Sequence, residues 1–211
     1  MHAFLSRAGG LAALAAPAMM WTEFVGHGLT RHGYNMLTHP FSDLATRGTP
    51  YASEFQLGFF LIPGVMTVIV GLGLFATHHG LTWRIGSALI MAAGVFLFAT
   101  GVFQQDPHSF FEQLLHGTMA QACFAIASVA PLVLFIGSTR HSRLGPPRRL
   151  WLLAGLGAVA IEGIGVALRP ITTYPDGLFQ RPFTVALTVW FVATGFWLLR
   201  IGRPEPNGGR N

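Results

Sequence analysis

The 211-residue chain is 52 % hydrophobic and only 10 % charged, with a mean hydropathy of +0.52. So little charge cannot cover the surface of a soluble domain of this size, so the chain reads as an all-α, polytopic membrane protein. The net charge of +5 does not point to nucleic acid. Every basic residue apart from histidine is an arginine, and most sit in short loops between apolar runs, where membrane topology accounts for them.

About 20 apolar helical residues cross a hydrocarbon core of about 30 Å. Six runs reach that length, at roughly 7–28, 55–76, 83–103, 114–136, 150–168 and 182–201. They predict one domain over residues 1–201, a bundle of six transmembrane helices. The first run has a rival reading as a signal peptide, with Ala16-Pro17-Ala18 as a cleavage site. The apolar run continues through Met19, Met20 and Trp21 to Leu29, which favours an uncleaved helix that tolerates Pro17. Residues 202–211, polar and rich in Pro and Gly, read as a disordered tail. The single cysteine, Cys123, lies in an apolar run and excludes an intramolecular disulfide.

With six spans both termini share a side. That side carries Arg7, Arg84, Arg140, Arg143, Arg148, Arg149, Arg200, Arg203 and Arg210, against Arg31, Arg47, Arg169 and Arg181 on the other. The positive-inside rule therefore puts both termini in the cytoplasm. Of the acids only Glu205 falls on the cytoplasmic side. Glu162 lies within the fifth span, and Glu23, Asp43, Glu54, Asp106, Glu112 and Asp176 lie at or near the outer side. The polar chemistry is thus gathered in three outer loops.

The first outer loop contains HPFSDL, which sets His39, Ser42 and Asp43 together. Either Ser42 or Asp43 caps a short interfacial helix, or Asp43 acts as ligand or base with Ser42 as a polar contact. The second loop, GVFQQDPHSFFEQLLHG, runs from Gly101 to Gly117. Asp106 followed by Pro107 predicts a helix start, which would put His108, Glu112 and His116 along one face. His116 sits deepest, and an ionisable residue at that depth is a functional candidate by default. The third loop offers Arg169, Asp176 and Arg181, and two outer arginines suit an anionic headgroup. Glu162 must be protonated, paired or in a wet cavity, with Glu23 and His27 as candidate neighbours.

His39, Asp43, Asp106 and His116 are acceptable ligand types for zinc, although no HExxH or other local metal spacing is present. Ser42, His116 and an acid are the elements of a hydrolytic triad, without a G-x-S-x-G elbow.

YNMLTHPFSDLATRGTP, the second-loop stretch just quoted and GLFQRPF before the last span together resemble the family catalogued as domain of unknown function 998. The resemblance runs from about Glu23 to Arg200. It implies a small prokaryotic membrane protein with six spans and an extracytoplasmic polar face, and it points at Ser42, Asp43, Asp106, His116 and Arg181. The chain departs from the family pattern at Ala45, where a glycine often follows SDL, and at Gln104, where a proline often follows the Gly-x-Phe. The resemblance implies no activity.

Three functions follow as expectations. The first is binding or translocation of a lipid or small amphiphile at the outer leaflet, with Arg169 and Arg181 on the headgroup, His108 and Glu112 nearby, and Glu162 relaying protons. The second is a membrane-embedded hydrolase, with or without a metal, in which His116, His39 and Asp106 or Asp43 bind the metal or act as acid and base, with zinc as the candidate metal. The third is an accessory subunit without chemistry of its own.

Overall fold

A computed structural model describes residues 1–78, 80–138, 146–168 and 177–203. Six helices in it are long and apolar enough to cross a bilayer: α1 (His2–Thr30), α2 (Ala52–Phe75), α3 (Leu81–Val102), α4 (Phe110–Gly137), α5 (Arg148–Leu168) and α6 (Gly177–Ile201). No strand occurs among the described residues. The six-helix membrane protein expected from composition is what the chain forms. Arg169, Asp176, Arg140 and Arg143 lie outside the described residues, as does the tail from residue 204 onward.

The helices run past the boundaries that hydropathy alone suggests. α1 passes unbroken through Pro17, and α6 begins before Pro182 rather than at it. α4 begins at Phe110, not at Asp106-Pro107. Asp106 spends its Oδ1 on the His108 backbone N–H, 2.8 Å away. Ser109 is the N-cap instead, its Oγ accepting from the Glu112 N–H at 3.3 Å. SFFE is the S-x-x-E pattern of a capping box. His108 therefore falls outside the helix, and only Glu112 and His116 share a helical face, at i and i+4.

Each helix packs on its neighbours in sequence, and α1 packs on α6, so the six close into a ring. Lipid offers no hydrophobic drive to hold helices together, so backbone approach and packing must do it. The α2–α3 seam shows how close the approach is. A Cβ on Gly94 would lie 2.7 Å from the Gly64 carbonyl oxygen, and one on Gly64 would lie 2.7 Å from the Phe98 backbone nitrogen. Leu11, Val25, Leu72, Val95, Leu153 and Phe196 face outward and stay exposed, as an apolar belt toward lipid requires.

The ring's interior differs between its two ends. At the end where α1 begins and α6 ends it is filled by aromatic side chains. Trp83, Trp151 and Trp190 are fully buried. Their ring centroids are 5.6 Å apart for Trp83–Trp151 and 6.1 Å for Trp151–Trp190, and Trp197 packs on both Trp83 and Trp151. The Trp83 indole N–H donates to the Leu74 carbonyl at 2.7 Å, so this plug also ties α2 to α3. The opposite, distal end holds the segments between α1 and α2 and between α3 and α4 and is hollow.

Candidate functional site

Two arginines fasten the distal loops. Arg47 reaches from the first loop into the second. Its Nη1 lies 3.1 Å from Asp106 Oδ2, and its Nη2 lies 3.0 and 3.2 Å from the two carboxylate oxygens of Glu112. Backbone and amide bonds run alongside: Arg47 N–H donates to the Gln105 carbonyl at 2.9 Å, and Gln104 Nε2 donates to the Ala45 carbonyl at 2.9 Å. Gln104 and Ala45 thus meet each other.

Arg181, on the first turns of α6, holds the other side of the first loop. Its Nη2 donates to the Tyr34 hydroxyl at 2.9 Å and to the His39 carbonyl at 2.5 Å. Its guanidinium carbon lies 4.5 Å from the Phe41 ring centre and 5.0 Å from that of Phe24. Two aromatic faces therefore take the place of water around this cation. Gly177 is required beside it, because a Cβ there would lie 2.5 Å from Arg181 Nη1 and 2.6 Å from the Thr38 carbonyl carbon. Burial pushes the Tyr34 phenol above its ordinary pKa, while the adjoining Arg181 charge pulls the other way.

Between these fastenings lies a 3₁₀ turn, Phe41–Ala45. The short helix expected around SDL is present, but neither Ser42 nor Asp43 caps it with a side chain. The turn is held by the Phe41 N–H donating to Gln180 Oε1 at 2.9 Å and by Arg31 Nη1 donating to the Asp43 carbonyl. The Asp43 carboxylate lies 3.9 Å from His39 Nδ1.

His116 is buried, 6 % exposed. Its Nδ1 lies 2.8 Å from the Phe103 carbonyl oxygen and 3.1 Å from that of Thr100. Two acceptors around one nitrogen require that nitrogen to carry the proton, so in the neutral ring Nε2 holds a free lone pair. Thr100 and Phe103 end α3, where the last carbonyls of a helix lack partners of their own. His116 therefore closes α3 from α4.

The hollow enclosed by these elements is a cavity of about 650 Å³. Ser42 and Phe41 line it from the 3₁₀ turn, Phe59 and Phe60 from α2, Thr100 from α3, His116 and Gln121 from α4, and Gln180 and Thr184 from α6. Gln105 and Gln113 stand at its margin, with the exposed Gly117 and Thr118. Adjoining it, a slot of about 80 Å³ shares Met20, Leu97, Cys123, Phe124 and Thr184 with the cavity and is lined also by Ala93, Ala127, Leu187 and Trp190. No Asp, Glu or Arg lines the cavity among the described residues.

Glu162 sits beside this space rather than in it. It lines a small hollow with Phe124, Gln180 and Phe183, and it accepts a hydrogen bond from Gln121 Nε2. Glu23 pairs instead with His27 at 3.0 Å and packs against Gly58 in a π-helical turn, Gln56–Leu61, of α2. The expected grouping of Glu162 with Glu23 and His27 does not describe their partners.

Of the expected site residues, the structure puts Ser42 and His116 on one cavity. Asp106 and Glu112 are joined through Arg47, His39 stands with Asp43, and Arg181 faces two rings. His108 is exposed, and Arg169 is outside the described residues. Among the described residues no three His, Cys, Asp or Glu side chains converge on a point where a metal ion could sit. The set His39, Asp43, Asp106 and His116 is thus divided between separate clusters. The residues that sequence reasoning passed over are the four glutamines of the cavity, two of them in plain view in FQQDP and GLFQRPF.

The chain matches no curated protein and no solved structure in the comparisons made. A family model described as protein of unknown function, DUF998, matches residues 8–197. That stretch reaches from the first helix into the last and takes in both fastened loops, so the chain belongs to the DUF998 family.

Proposed function

We propose that the protein binds a lipid or small amphiphile at its distal end, with the polar head in the cavity and the apolar chain in the adjoining slot. The adjacency of the two spaces carries this reading. A chamber lined by Ser42, His116 and amides shares Met20, Leu97, Cys123, Phe124 and Thr184 with a slot walled by Ala93, Ala127, Phe183 and Leu187. Its volume falls within the roughly 300–1,000 Å³ of small-molecule sites. The arginine count favours the extracytoplasmic side for this end, which makes the outer leaflet the source of the ligand. The tryptophan plug at the other end favours holding a ligand over passing it through.

A hydrolytic reading has in its favour that Ser42 and His116 line one cavity. In a Ser-His-acid triad a carboxylate stands behind the imidazole and fixes its tautomer. Behind His116 stand two backbone carbonyls, so binding is the better supported function.

Native mass spectrometry of the detergent-purified protein tests the reading. One retained amphiphile per chain is expected, lost when Ala120, on the cavity wall, is replaced by Trp. A chain that retains nothing after purification and reloading would sink the proposal.

A further inference from the structure

We infer that the head of the bound amphiphile is uncharged and carries hydroxyl groups, as in a monoacylglycerol or another fatty alcohol or polyol ester. This rests on the amphiphile reading above and narrows its chemistry. A phosphate or carboxylate head needs cations or a dense set of donors. Among the described residues the cavity offers no cation, and Arg181, the nearest candidate by sequence, does not line it: its Nη2 is held by Tyr34 and the His39 carbonyl and its guanidinium lies against two aromatic rings, with Nε and Nη1 buried and without a hydrogen-bond partner.

The cavity offers acceptors instead. His116 is more than nine-tenths buried and lines the chamber. Its Nδ1 proton is committed to the α3 carbonyls, which leaves Nε2 as a lone pair without a partner. Gln105 also lines the chamber, and its Oε1 is buried with no hydrogen-bond partner. Buried polar atoms are nearly always partnered, so an orphaned acceptor on a cavity wall calls for a donor from the occupant. A phosphodiester or carboxylate anion itself brings only further acceptors. A hydroxyl donates to both atoms, and because it also accepts, it satisfies the Gln105 amide whichever way that group is turned. The amides of Gln113 and Gln180 and the hydroxyls of Ser42 and Thr184 add neutral partners of the same kind.

The test is a native mass spectrometry titration of the full chain in an amine-oxide detergent, which has no hydroxyl to compete. The probes share one acyl chain and differ in head: 1-monooleoylglycerol, oleate and oleoyl lysophosphatidate. The expected result is one monooleoylglycerol per chain, bound at least tenfold tighter than either anion. His116→Asn keeps an N–H for the α3 carbonyls and removes the Nε2 acceptor. Gln105→Leu removes the orphaned Oε1 and disturbs no helix. Each should weaken monooleoylglycerol by roughly threefold to tenfold, the worth of one hydrogen bond, and leave oleate unchanged. Thermal melting confirms that each variant is folded, and Gln105→Leu stands as the test should His116→Asn fail to fold. Equal or tighter binding of an anion overturns the uncharged head and leaves the amphiphile reading standing. Monooleoylglycerol binding that ignores both substitutions overturns the assigned acceptors. Failure of all three probes to bind overturns this inference and the amphiphile reading together.

Discussion

The imidazole of His116 lies with Nδ1 2.8 Å from the carbonyl oxygen of Phe103, thirteen residues earlier in the chain and on the neighbouring helix. One ring thus does two things: its proton ends α3, and its other nitrogen is left for the cavity. The two roles can be separated. His116→Ala strands two carbonyls at a buried helix end and should lower stability by about 1–3 kcal/mol. His116→Asn, which supplies an N–H at nearly the same place, should recover most of that loss. Thermal melts of the three proteins in one detergent check the order. Equal melting of the Ala and Asn variants would show that the carbonyl contacts contribute nothing.

The Arg47 bridge makes a prediction about coupling. The Arg47 side chain is 52 % exposed while that of Asp106 is only 12 % exposed. Solvent screens the arginine side, which limits the gain to the modest range of a surface pair, whereas losing it leaves the nearly buried Asp106 charge unmatched. Arg47→Gln should destabilise by roughly 1–2 kcal/mol. In a double-mutant cycle with Asp106→Asn the two losses should fall short of additive by about 0.5 kcal/mol or more. High salt should weaken the wild-type advantage. Strict additivity would mean that the bridge seen here does not hold the loops together.

These two contacts also mark what the sequence discloses and what it hides. The six spans are legible because burial in lipid demands long apolar runs, a one-dimensional signal. The α4 start is legible as well, once SFFE rather than Asp106-Pro107 is read as the cap. The destination of Arg47 and Arg181 is not legible. Of the two arginines expected at a headgroup, Arg169 lies outside the described residues and Arg181 is held against Phe24, Phe41 and Tyr34, while Arg47, which the sequence offers only as a topology signal, joins Asp106 and Glu112. Which charges are consumed internally depends on loops meeting across the ring, and no local spacing encodes that. The same is true of the glutamines, which have a meaning only once the cavity wall is assembled.

Tyr34 provides a pH-dependent expectation. Burial raises its phenol pKa above the ordinary value near 10. The folded state therefore prefers the protonated phenol. Its contribution to stability is complete below about pH 10 and is lost as pH rises through the folded value, because only the unfolded chain ionises freely. The chain has three tyrosines. Absorbance titration should show one of them ionising above the ordinary phenol range. Tyr34→Phe should remove that late step and flatten the alkaline loss of stability. It also takes from Arg181 Nη2 its hydroxyl acceptor, so the variant should be less stable than wild type at neutral pH. A titration in which the late step survives Tyr34→Phe would refute the assignment.

The glycines separate close approach from composition. Gly94 faces Gly64 across the α2–α3 seam, and an added Cβ would meet backbone atoms at 2.7 and 2.8 Å. Backbone cannot rotate out of the way as a side chain can, so the helices must part. Gly157 on α5 has nothing within 4 Å of the same position. Gly94→Ala should therefore cost about 1–3 kcal/mol by overpacking. Gly157→Ala should be neutral or gain up to about 1 kcal/mol from the reduced backbone freedom of the unfolded chain. The parting would be felt beyond the seam. Leu97 and Thr100 on α3 wall the cavity together with His116, so Gly94→Ala should also weaken retention of the amphiphile, and Gly157→Ala should not. Melting and native mass spectrometry on the two variants, prepared side by side, measure both effects. A Gly94→Ala protein as stable as Gly157→Ala would mean that the seam is looser than these distances require, and that small residues along the helices are there for reasons other than packing.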